Sequence, residues 1–520
     1  MGKRRSGTRN LSRRAANRGS GQYTSRPAPV KRASVFARLL ARRLELLTLR
    51  HRTPSPCAPP YPFYISMKFK DLARTTALGM LDQLESPHAS VEELFEQLSN
   101  SRLDARDHRF VRQLVTGTLK MRDRLDWIVN QFARRPISSL SPTASNVLRL
   151  GVYQLLWLDR VPTRAAIHTS VELAKRCGRR GFAGFVNAVL RRIGEGPIHY
   201  PDRQIDPAVY LSVYYSHPVW LVRRWVQRWG EVATEALLKA NNEPPRLFIR
   251  LNRLRADLAQ FRAALPESAP APQPVGPLPD CFEVTQVEGL FESQAYARGL
   301  FFVQDVNAGL AAALLGARAG EKVLDACSAP GGKTAQLAMA MGDRGLIAAA
   351  DRSPRRLRRL RENARRLGLR CLALCVEDGC EPAVGARGLS PGAEIGGTFD
   401  RVLVDAPCSS TGIFGRRADA RWRRPPDTIA RSAERQRALL GQAYGRLRPG
   451  GILVYSTCSI EAEENEAVIE EFLAATPSAR LEPARDFLNR SAWCDRYVQT
   501  LPGRDAGDGS FAARLRRGAS

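Results

Sequence analysis

From about residue 320 the chain alternates short apolar segments with amphipathic stretches, and this alternation constrains the fold more than any other feature. Strands that recur with a helix between them pair in parallel, and the helices then cover both faces of the sheet. The sequence therefore predicts a doubly wound, mostly parallel α/β domain, which we place at residues 307–516. Its predicted strands are 323–326, 346–350, 372–376, 401–405 and 452–456.

One predicted helix of this domain, 354–367, carries signals at both ends. Ser353 can cap its first turn, Pro354 suits the first helical position, and Gly368 can end it. Apolar residues spaced three and four apart make one inner face, as a helix against a sheet requires. They are Leu357, Leu360, Ala364 and Leu367.

The chain before this domain divides into helical and mixed regions. Residues 70–195 have the apolar spacing of buried helix faces, and we place an all-α domain at 67–198. A helical connector is expected at 199–245. A strand at 246–252, a helix near 256–265 and further strands to about 304 predict a small α+β subdomain at 246–306.

The first 66 residues differ in composition from the rest of the chain. They contain fifteen Lys or Arg residues against one acidic residue and are rich in Ser, Gly and Pro, which predicts a disordered basic tail. Met67 offers an alternative, in which translation starts there and the preceding residues do not belong to the protein. Both interpretations remain open.

The whole chain has a net charge of +29, which favours a polyanionic partner, although basic residues can also serve solubility alone. No run of eighteen uncharged apolar residues indicates a membrane span, and the head lacks an apolar signal core. The ten cysteines include no Cys-x-x-Cys pair, so we expect a reducing, cytoplasmic setting and no metal.

The first strand of the α/β domain leads into a turn of small residues, Gly331 and Gly332, followed by Lys333 and Thr334. A phosphate-binding loop would need a glycine where the chain has Cys327, so we reject that interpretation. Acidic residues follow the next two strands: Asp351 is placed to bind ribose hydroxyls, and Asp378 can face an adenine edge. The turn and the two acids together predict a nucleoside cofactor.

Cys408 and Cys458 follow the fourth and fifth predicted strands, at the edge of the sheet where ligands bind. A thiol there can be activated as a thiolate. A thiolate that adds to carbon 6 of cytosine makes carbon 5 nucleophilic toward an electrophilic methyl group, and a nearby acid such as Asp405 can assist at N3. From the residues alone, either cysteine could be the nucleophile.

Three segments, 325–334, 405–409 and 456–459, together resemble the motifs of the Nol1/Nop2/Sun family of RNA cytosine-5 methyltransferases. The helical region 70–195 resembles the NusB RNA-binding domain, and the two resemblances cover about residues 68–516. They imply a Rossmann-like, S-adenosylmethionine-dependent methyltransferase domain after a NusB-like domain. They also imply S-adenosyl-L-methionine as cofactor and 16S rRNA as partner, with cytosine 967 as the expected target. We further expect a monomer that needs no metal or membrane.

The same resemblance assigns roles to individual residues. It makes Cys458 the nucleophile, Cys408 the residue that helps release the product, and Asp405 the contact to cytosine N3. Glu377 stands where the family often has glycine, which affects the adenine contact only. The implied cofactor residues are Cys327, Ser328, Ala329, Pro330, Gly331, Gly332, Lys333, Asp351, Asp378 and Asp405.

The segment after Cys408 interleaves arginines with aromatic residues, a pattern that suits contacts to phosphates and to unpaired bases. We predict RNA contacts there, although a solvated loop would look the same. The residues are Phe414, Arg416, Arg417, Arg421, Trp422, Arg423 and Arg424.

Two other functions are consistent with part of the sequence. A DNA cytosine methyltransferase would share the cofactor edge, but the second cysteine motif and the NusB-like region disfavour it. A non-catalytic RNA-binding or ribosome assembly factor is disfavoured because both cysteines and every cofactor acid are present.

Overall fold

The structure is a computed structural model that describes residues 71–519, apart from 87–88, 178–179, 266–271, 286, 379–396 and 490; of 379–396 it gives the backbone of 387–388. The described residues belong to one compact unit, Phe69–Ser520. The predicted basic tail and the alternative start at Met67 lie outside the described residues.

The N-terminal part of this unit is helical because its apolar residues recur at helical spacing and converge on one core. Asp71, Asp104 and Ser141 accept hydrogen bonds from first-turn amides and so define three of the helix starts. The helices are α1 (Leu72–Gln83), α2 (Val91–Ser99), α3 (Ala105–Lys120), α4 (Arg122–Phe132), α5 (Pro142–Trp157), α6 (Thr163–Arg176) and α7 (Phe182–Glu195), with a 3₁₀ turn at Ile137–Ser139.

Two helices and a small α+β region follow. The helices are α8 (Pro207–Tyr215) and α9 (Val219–Asn242), and α9 is interrupted at Gly230, whose φ of 81° is non-helical. The α+β region comprises β1 (Leu247–Leu251), α10 (Leu258–Ala263), β2 (Gln273–Pro274), β3 (Cys281–Val284), α11 (Gln294–Ala297) and β4 (Phe301–Val303). Its strands form an antiparallel sheet in the order β2-β3-β1-β4.

The C-terminal part begins with α12 (Ala308–Leu315) and continues into a nine-stranded sheet within the described residues. Its elements are β5 (Lys322–Asp325), α13 (Gly332–Ala340), β6 (Leu346–Asp351), α14 (Pro354–Leu367), β7 (Leu372–Val376), β8 (Arg387–Gly388), β9 (Phe399–Asp405), α15 (Ala418–Trp422), α16 (Asp427–Gly445), β10 (Leu447–Thr457), α17 (Glu466–Ala475), β11 (Ala479–Glu482), β12 (Val498–Thr500) and β13 (Ser510–Arg517), with 3₁₀ turns at Thr411–Ile413, Ala462–Glu464 and Ala484–Asp486.

The strand order is β11-β13-β10-β9-β5-β6-β7-β8, with β12 also paired to β13. The five central strands β10, β9, β5, β6 and β7 are parallel, and antiparallel strands flank them. The chain leaves β5 toward β6 and later returns to β9 on the other side, so the switch point lies between β5 and β9. Ligands bind at the carboxyl ends of the strands at such a point.

The predicted fold class is confirmed: an all-helical region, a small α+β region and a mostly parallel, doubly wound α/β domain follow one another. The predicted helix 354–367 is also confirmed, because the Ser353 side chain accepts from the Arg356 amide and Gly368 ends the helix with φ 74°. The domain boundaries drawn from the sequence stay predictions. Within the described residues, no helix is long and apolar enough to cross a membrane.

Candidate active site

The carboxyl ends of the parallel strands open into a cleft of about 800 Å³. The cleft contains most of the predicted cofactor residues and both predicted catalytic cysteines. Of the predicted site residues, those that line it are Cys327, Ala329, Pro330, Lys333, Asp351, Asp378, Asp405, Cys408, Arg417, Arg424 and Cys458. The structure therefore brings together side chains that lie up to 131 positions apart in the chain.

The loop between β5 and α13 forms the floor beside the switch point. Ser328 does not line the cleft, because its amide and hydroxyl both donate to the Ala350 carbonyl and so tie the loop to β6. Gly331 has φ 107°, and a Cβ there would lie 2.8 Å from Leu360 Cγ. Only glycine fits this turn without a shift of α14, so the glycine serves the turn itself.

The acid at the end of β6 is nearly buried and already engaged. One oxygen of Asp351 accepts from the Ser353 amide at 2.9 Å, and the other accepts from the Ala329 amide at 3.3 Å. Arg356 pairs with the same carboxylate at 3.1 Å. Asp351 therefore holds the β5–α13 loop against α14 as well as facing the cleft.

At the end of β7, Asp378 is 40% exposed and forms an ion pair with Arg435 at 3.2 Å. Its neighbour Glu377 also lines the cleft and pairs with Arg446 at 2.8 Å. Both carboxylates lie at the end of β7, the last of the five parallel strands in the sheet order, and the adenine contact of Asp378 stays a prediction.

Asp405 ends β9 in the middle of the cleft. One of its oxygens accepts from Lys333 Nζ at 2.8 Å, and the other accepts from the Ser456 hydroxyl at 2.8 Å. Burial by itself lowers the pKa of Lys333, but the charge and hydrogen bond of Asp405, together with the nearby Cys458 and Asp325, outweigh it and the net pKa is raised. Lys333 is therefore a charged donor held by Asp405.

The two cysteines face each other across neighbouring parallel strands. The pairing of Asp405 with Ser456 sets the register of β9 and β10, and it places Cys408 Sγ 3.3 Å from Cys458 Sγ. Gly412 lets the loops approach, because its amide donates to the Cys458 carbonyl and a Cβ there would lie 2.6 Å from that oxygen.

The two thiols differ in acidity. The hydrogen bond from Cys408 lowers the pKa of Cys458, and the charge of Lys333 lowers it further against the effect of burial. The same hydrogen bond, with burial, raises the pKa of Cys408 well above its ordinary value. These opposite pKa shifts favour a thiolate at Cys458 and a thiol at Cys408.

The predicted RNA contacts after Cys408 need correction. Phe414 is fully buried against Trp225, so its ring cannot stack on a base. Arg421 is also fully buried, and its guanidinium donates to the carbonyls of Lys120, Ser216 and Asn241 and to Asn242 Oδ1. For these two residues the prediction is wrong, because their side chains form internal contacts.

The other members of this segment divide into two groups. Arg416 pairs with Asp305 and Asp508, Trp422 Nε1 donates to the Leu119 carbonyl, and Arg423 donates to the carbonyls of Leu84 and Ala89. These contacts join the catalytic sheet to the α+β region and the N-terminal helices. Arg417 and Arg424 line the cleft, and an RNA contact by them stays a prediction.

Two features of the site were not foreseen from the sequence. Helix α2 brings Glu92 and Glu93 to the cleft, where they pair with Arg417 and Arg355 at 3.5 and 3.0 Å. Glu464 lies behind both cysteines and joins their loops. The sequence analysis assigned no role to Glu464 or to the two helix α2 residues.

Within the described residues, no cluster of three or more His, Cys, Asp or Glu side chains could hold a metal ion. The charged and thiol side chains that line the cleft are three cysteines, a lysine, several arginines and several carboxylates.

Comparison with known proteins matches each part of this fold. The family described as "16S rRNA methyltransferase RsmB/F" matches residues 312–516. The NusB family matches residues 71–195, and the ferredoxin-like domain of "Methyltr_RsmF/B-like" proteins matches residues 217–288. The fold and these matches define the class of protein: a methyltransferase that carries an N-terminal NusB domain.

Whole-chain relatives agree. A probable ribosomal RNA small subunit methyltransferase B of Synechocystis is 35% identical over 422 residues, covering 79% of this chain and 91% of the relative. A probable enzyme of the same name from Bacillus subtilis is 32% identical, covering 86% and 99%, and the Salmonella arizonae enzyme of that name is 31% identical with the same coverage. The chain therefore belongs to the RsmB/F family of 16S rRNA methyltransferases.

Solved structures show the same architecture. The structure of PH0851 superposes with a TM-score of 0.71 at 24% identity and covers 87% of this chain and all of that protein. A methyltransferase homologue from Pyrococcus horikoshii superposes with a TM-score of 0.50 at 27% identity, covering 60% and 99%.

Proposed function

We propose that this chain methylates carbon 5 of a cytosine in 16S rRNA, with S-adenosylmethionine as methyl donor and Cys458 as the covalent nucleophile. The observation that carries the proposal is the thiol pair at 3.3 Å beside the Lys333–Asp405 ion pair in one cleft. Membership of the family supports the rRNA substrate, and cytosine 967 is the expected target. We expect a monomer that acts in the cytoplasm, where its rRNA substrate is made.

The cleft has the chemistry that S-adenosylmethionine requires. Acidic side chains stand at the ends of β6, β7 and β9, and small residues of the β5–α13 loop leave room between them. Asp351 and Asp378 can bind the ribose and adenine parts, respectively. When bound, the cofactor supplies an electrophilic methyl group on its sulfonium sulfur.

Cys458 is the better nucleophile on physical grounds as well as by family resemblance. Its lowered pKa increases the thiolate fraction at neutral pH, and only a thiolate adds readily to carbon 6 of cytosine. Addition places negative charge on the ring around N3 and makes carbon 5 nucleophilic. Asp405 is the expected contact to N3, and Lys333, which Asp405 holds near Cys458, is a charged donor that can help to stabilise this charge.

Cys408 retains its proton while Cys458 attacks, because its raised pKa opposes ionisation. After methyl transfer, the proton on carbon 5 must leave and the bond between Cys458 and carbon 6 must break. The carbon 5 proton passes to a base such as water, the C5–C6 double bond re-forms, and Cys458 leaves as a thiolate to which the Cys408 thiol, 3.3 Å away, can donate a hydrogen bond. We therefore assign product release to Cys408.

Replacing each cysteine separately tests these roles. Cys458→Ala cannot form the bond to carbon 6, so methylation and the protein–RNA adduct should both disappear. Cys408→Ala can still attack, so the adduct should accumulate as a slow band on a denaturing gel that nuclease removes. The assay uses isotope-labelled methyl donor and 16S rRNA fragments, with a DNA of the same sequence as the competing substrate.

Cys177→Ser is the matched control, because this half-buried cysteine lies at the end of α6, away from the cleft. It should behave as the wild type. An adduct that accumulates in Cys458→Ala and is absent in Cys408→Ala would reverse the two roles. Methylation of DNA in preference to RNA would favour a DNA methyltransferase, and absence of cofactor binding would favour a non-catalytic assembly factor.

A further inference from the structure

Glu464 lies directly behind the two cysteines, in the 3₁₀ turn Ala462–Glu464 that follows β10. Its side chain is fully buried. Burial raises the pKa of this carboxyl, although hydrogen bonds from several donors oppose that effect. A carboxylate in such a place is costly unless neighbouring groups hold it, so its contacts indicate what it does.

The contacts of Glu464 come from both cysteine-bearing loops. Ser409, next to Cys408, donates its amide at 2.8 Å to one carboxylate oxygen and its hydroxyl to the other. Ser459, next to Cys458, donates its hydroxyl to that second oxygen. One carboxylate thus joins the residues that directly follow the two thiols.

A third element fixes the carboxylate in place. Gln436 of α16 donates its side-chain amide to Glu464 at 3.2 Å and to the Pro407 carbonyl at 3.0 Å. The Glu464 carbonyl also accepts from the Tyr455 hydroxyl at 2.6 Å. The groups that donate to the Glu464 carboxylate are all neutral, so directed hydrogen bonds hold it rather than an ion pair. The carboxylate in turn fixes the positions of these donors.

Glu464 also acts on the thiols unequally. Cys408 is held protonated mainly by its hydrogen bond to Cys458 and by burial, and the charge of Glu464 raises its pKa further. The pKa of Cys458 is lowered chiefly by the hydrogen bond from Cys408. Glu464 therefore has two effects: its charge raises the pKa of Cys408, and its hydrogen bonds to both loops help to set the distance between the Cys408 and Cys458 sulfurs.

We propose that Glu464 is a positioning residue for methyl transfer: it holds the Cys408 and Cys458 loops in register. Glu464 does not line the cleft, and it acts through Ser409 and Ser459. The predicted effect of Glu464 on methylation rests on the proposed function. Its predicted effect on the reactivity of the two thiols is independent of that function.

The variant Glu464→Gln tests the proposal, because its amide places N–H groups where donors already converge. Loss of charge-assisted hydrogen bonds should lower kcat by about 10- to 100-fold. The KM for rRNA and the Kd for the cofactor should stay within about threefold of the wild type, since the binding groups are untouched. Glu463→Gln is the matched control, because Glu463 is 47% exposed and pairs with Arg224 away from the thiols.

A second readout uses the thiols alone. Iodoacetamide alkylation is followed by mass spectrometry of the two cysteine peptides as a function of pH, without RNA or cofactor. In the wild type Cys458 should react at lower pH than Cys408. In Glu464→Gln the two profiles should move toward each other, because the Cys408 pKa falls and the Cys458 pKa rises when the register loosens.

The double variant Ser409→Ala/Ser459→Ala removes the two hydroxyl links to Glu464 and leaves the Ser409 amide link in place. It should shift the profiles in the same direction by a smaller amount, which keeps the proposal testable if Glu464→Gln does not fold. Unchanged alkylation profiles in a folded variant would overturn it, as would a kcat loss matched by an equal loss of cofactor affinity. Failure of the wild type to methylate rRNA would refute the proposed function and leave the alkylation result standing.

Discussion

Replacing Arg421 with methionine should destabilise the fold by about 3–5 kcal/mol, because it removes the donor from a buried polar network. The Arg421 guanidinium is fully buried and donates four hydrogen bonds of 2.9–3.2 Å. Methionine of similar length leaves those four oxygens without this donor, at about 1–3 kcal/mol each. Burial lowers the pKa of Arg421 to about 9, so part of that loss is offset when the charge is no longer buried.

Urea unfolding followed by tryptophan fluorescence measures this effect, with the midpoint of the first transition as the quantity compared. Arg431→Met is the control, because Arg431 on α16 is 65% exposed and pairs with Asp427 one turn away. It should change stability by less than about 0.5 kcal/mol.

RNA binding by folded Arg421→Met should keep the salt dependence of the wild type, since a side chain without exposed surface cannot neutralise a phosphate. If the variant unfolds like the wild type but loses a phosphate contact, the internal role assigned to Arg421 is wrong and the original prediction of an RNA contact is right.

Two further substitutions test the predicted cofactor contact of Asp351 and the buried carboxyl of Asp325 at the end of β5. Asp351→Ala should weaken S-adenosylmethionine binding by about 1–3 kcal/mol in calorimetry, and unchanged affinity in a folded variant would remove Asp351 from the site. Burial raises the pKa of Asp325 to about 7, and one of its oxygens accepts from Thr334 at 2.7 Å. The native state then holds a proton that the unfolded state releases near pH 4, so this contribution is present at low pH and lost as pH rises through 7. The stability of the wild type relative to Asp325→Asn should fall with pH by up to about 1.4 kcal/mol per unit between pH 4 and 7, and parallel pH profiles in urea unfolding would contradict it.

Much of the fold could be predicted because its signals are local. The strand–helix alternation after residue 320, the Ser353 cap and the Gly368 end each depend on residues within one or two turns of chain. The cofactor-binding edge of the sheet could also be predicted, because the carboxyl ends of parallel strands meet at one edge regardless of the loop conformations. Asp351, Asp378 and Asp405 line the cleft as that rule requires.

The segment 414–424 shows where composition misleads. Arginine and tryptophan can contact RNA, but they can equally be buried when backbone carbonyls accept their N–H groups. Arg421 and Trp422 find those carbonyls on α3, α8 and α9, elements about 180–300 residues earlier in the chain. Spacing within the segment carries no information about such distant acceptors.

By itself the sequence determined the order of the structural regions, the small-residue turn and the identity of the two thiols, since each is written in neighbouring residues. Only the tertiary structure decided that Cys408 lies 3.3 Å from Cys458, that Glu464 joins their loops, and that α2 brings carboxylates to the cleft. The physical reason is that these contacts depend on strand register and on packing between distant elements. The two thiols differ in pKa only because that packing buries them and brings them within hydrogen-bond distance.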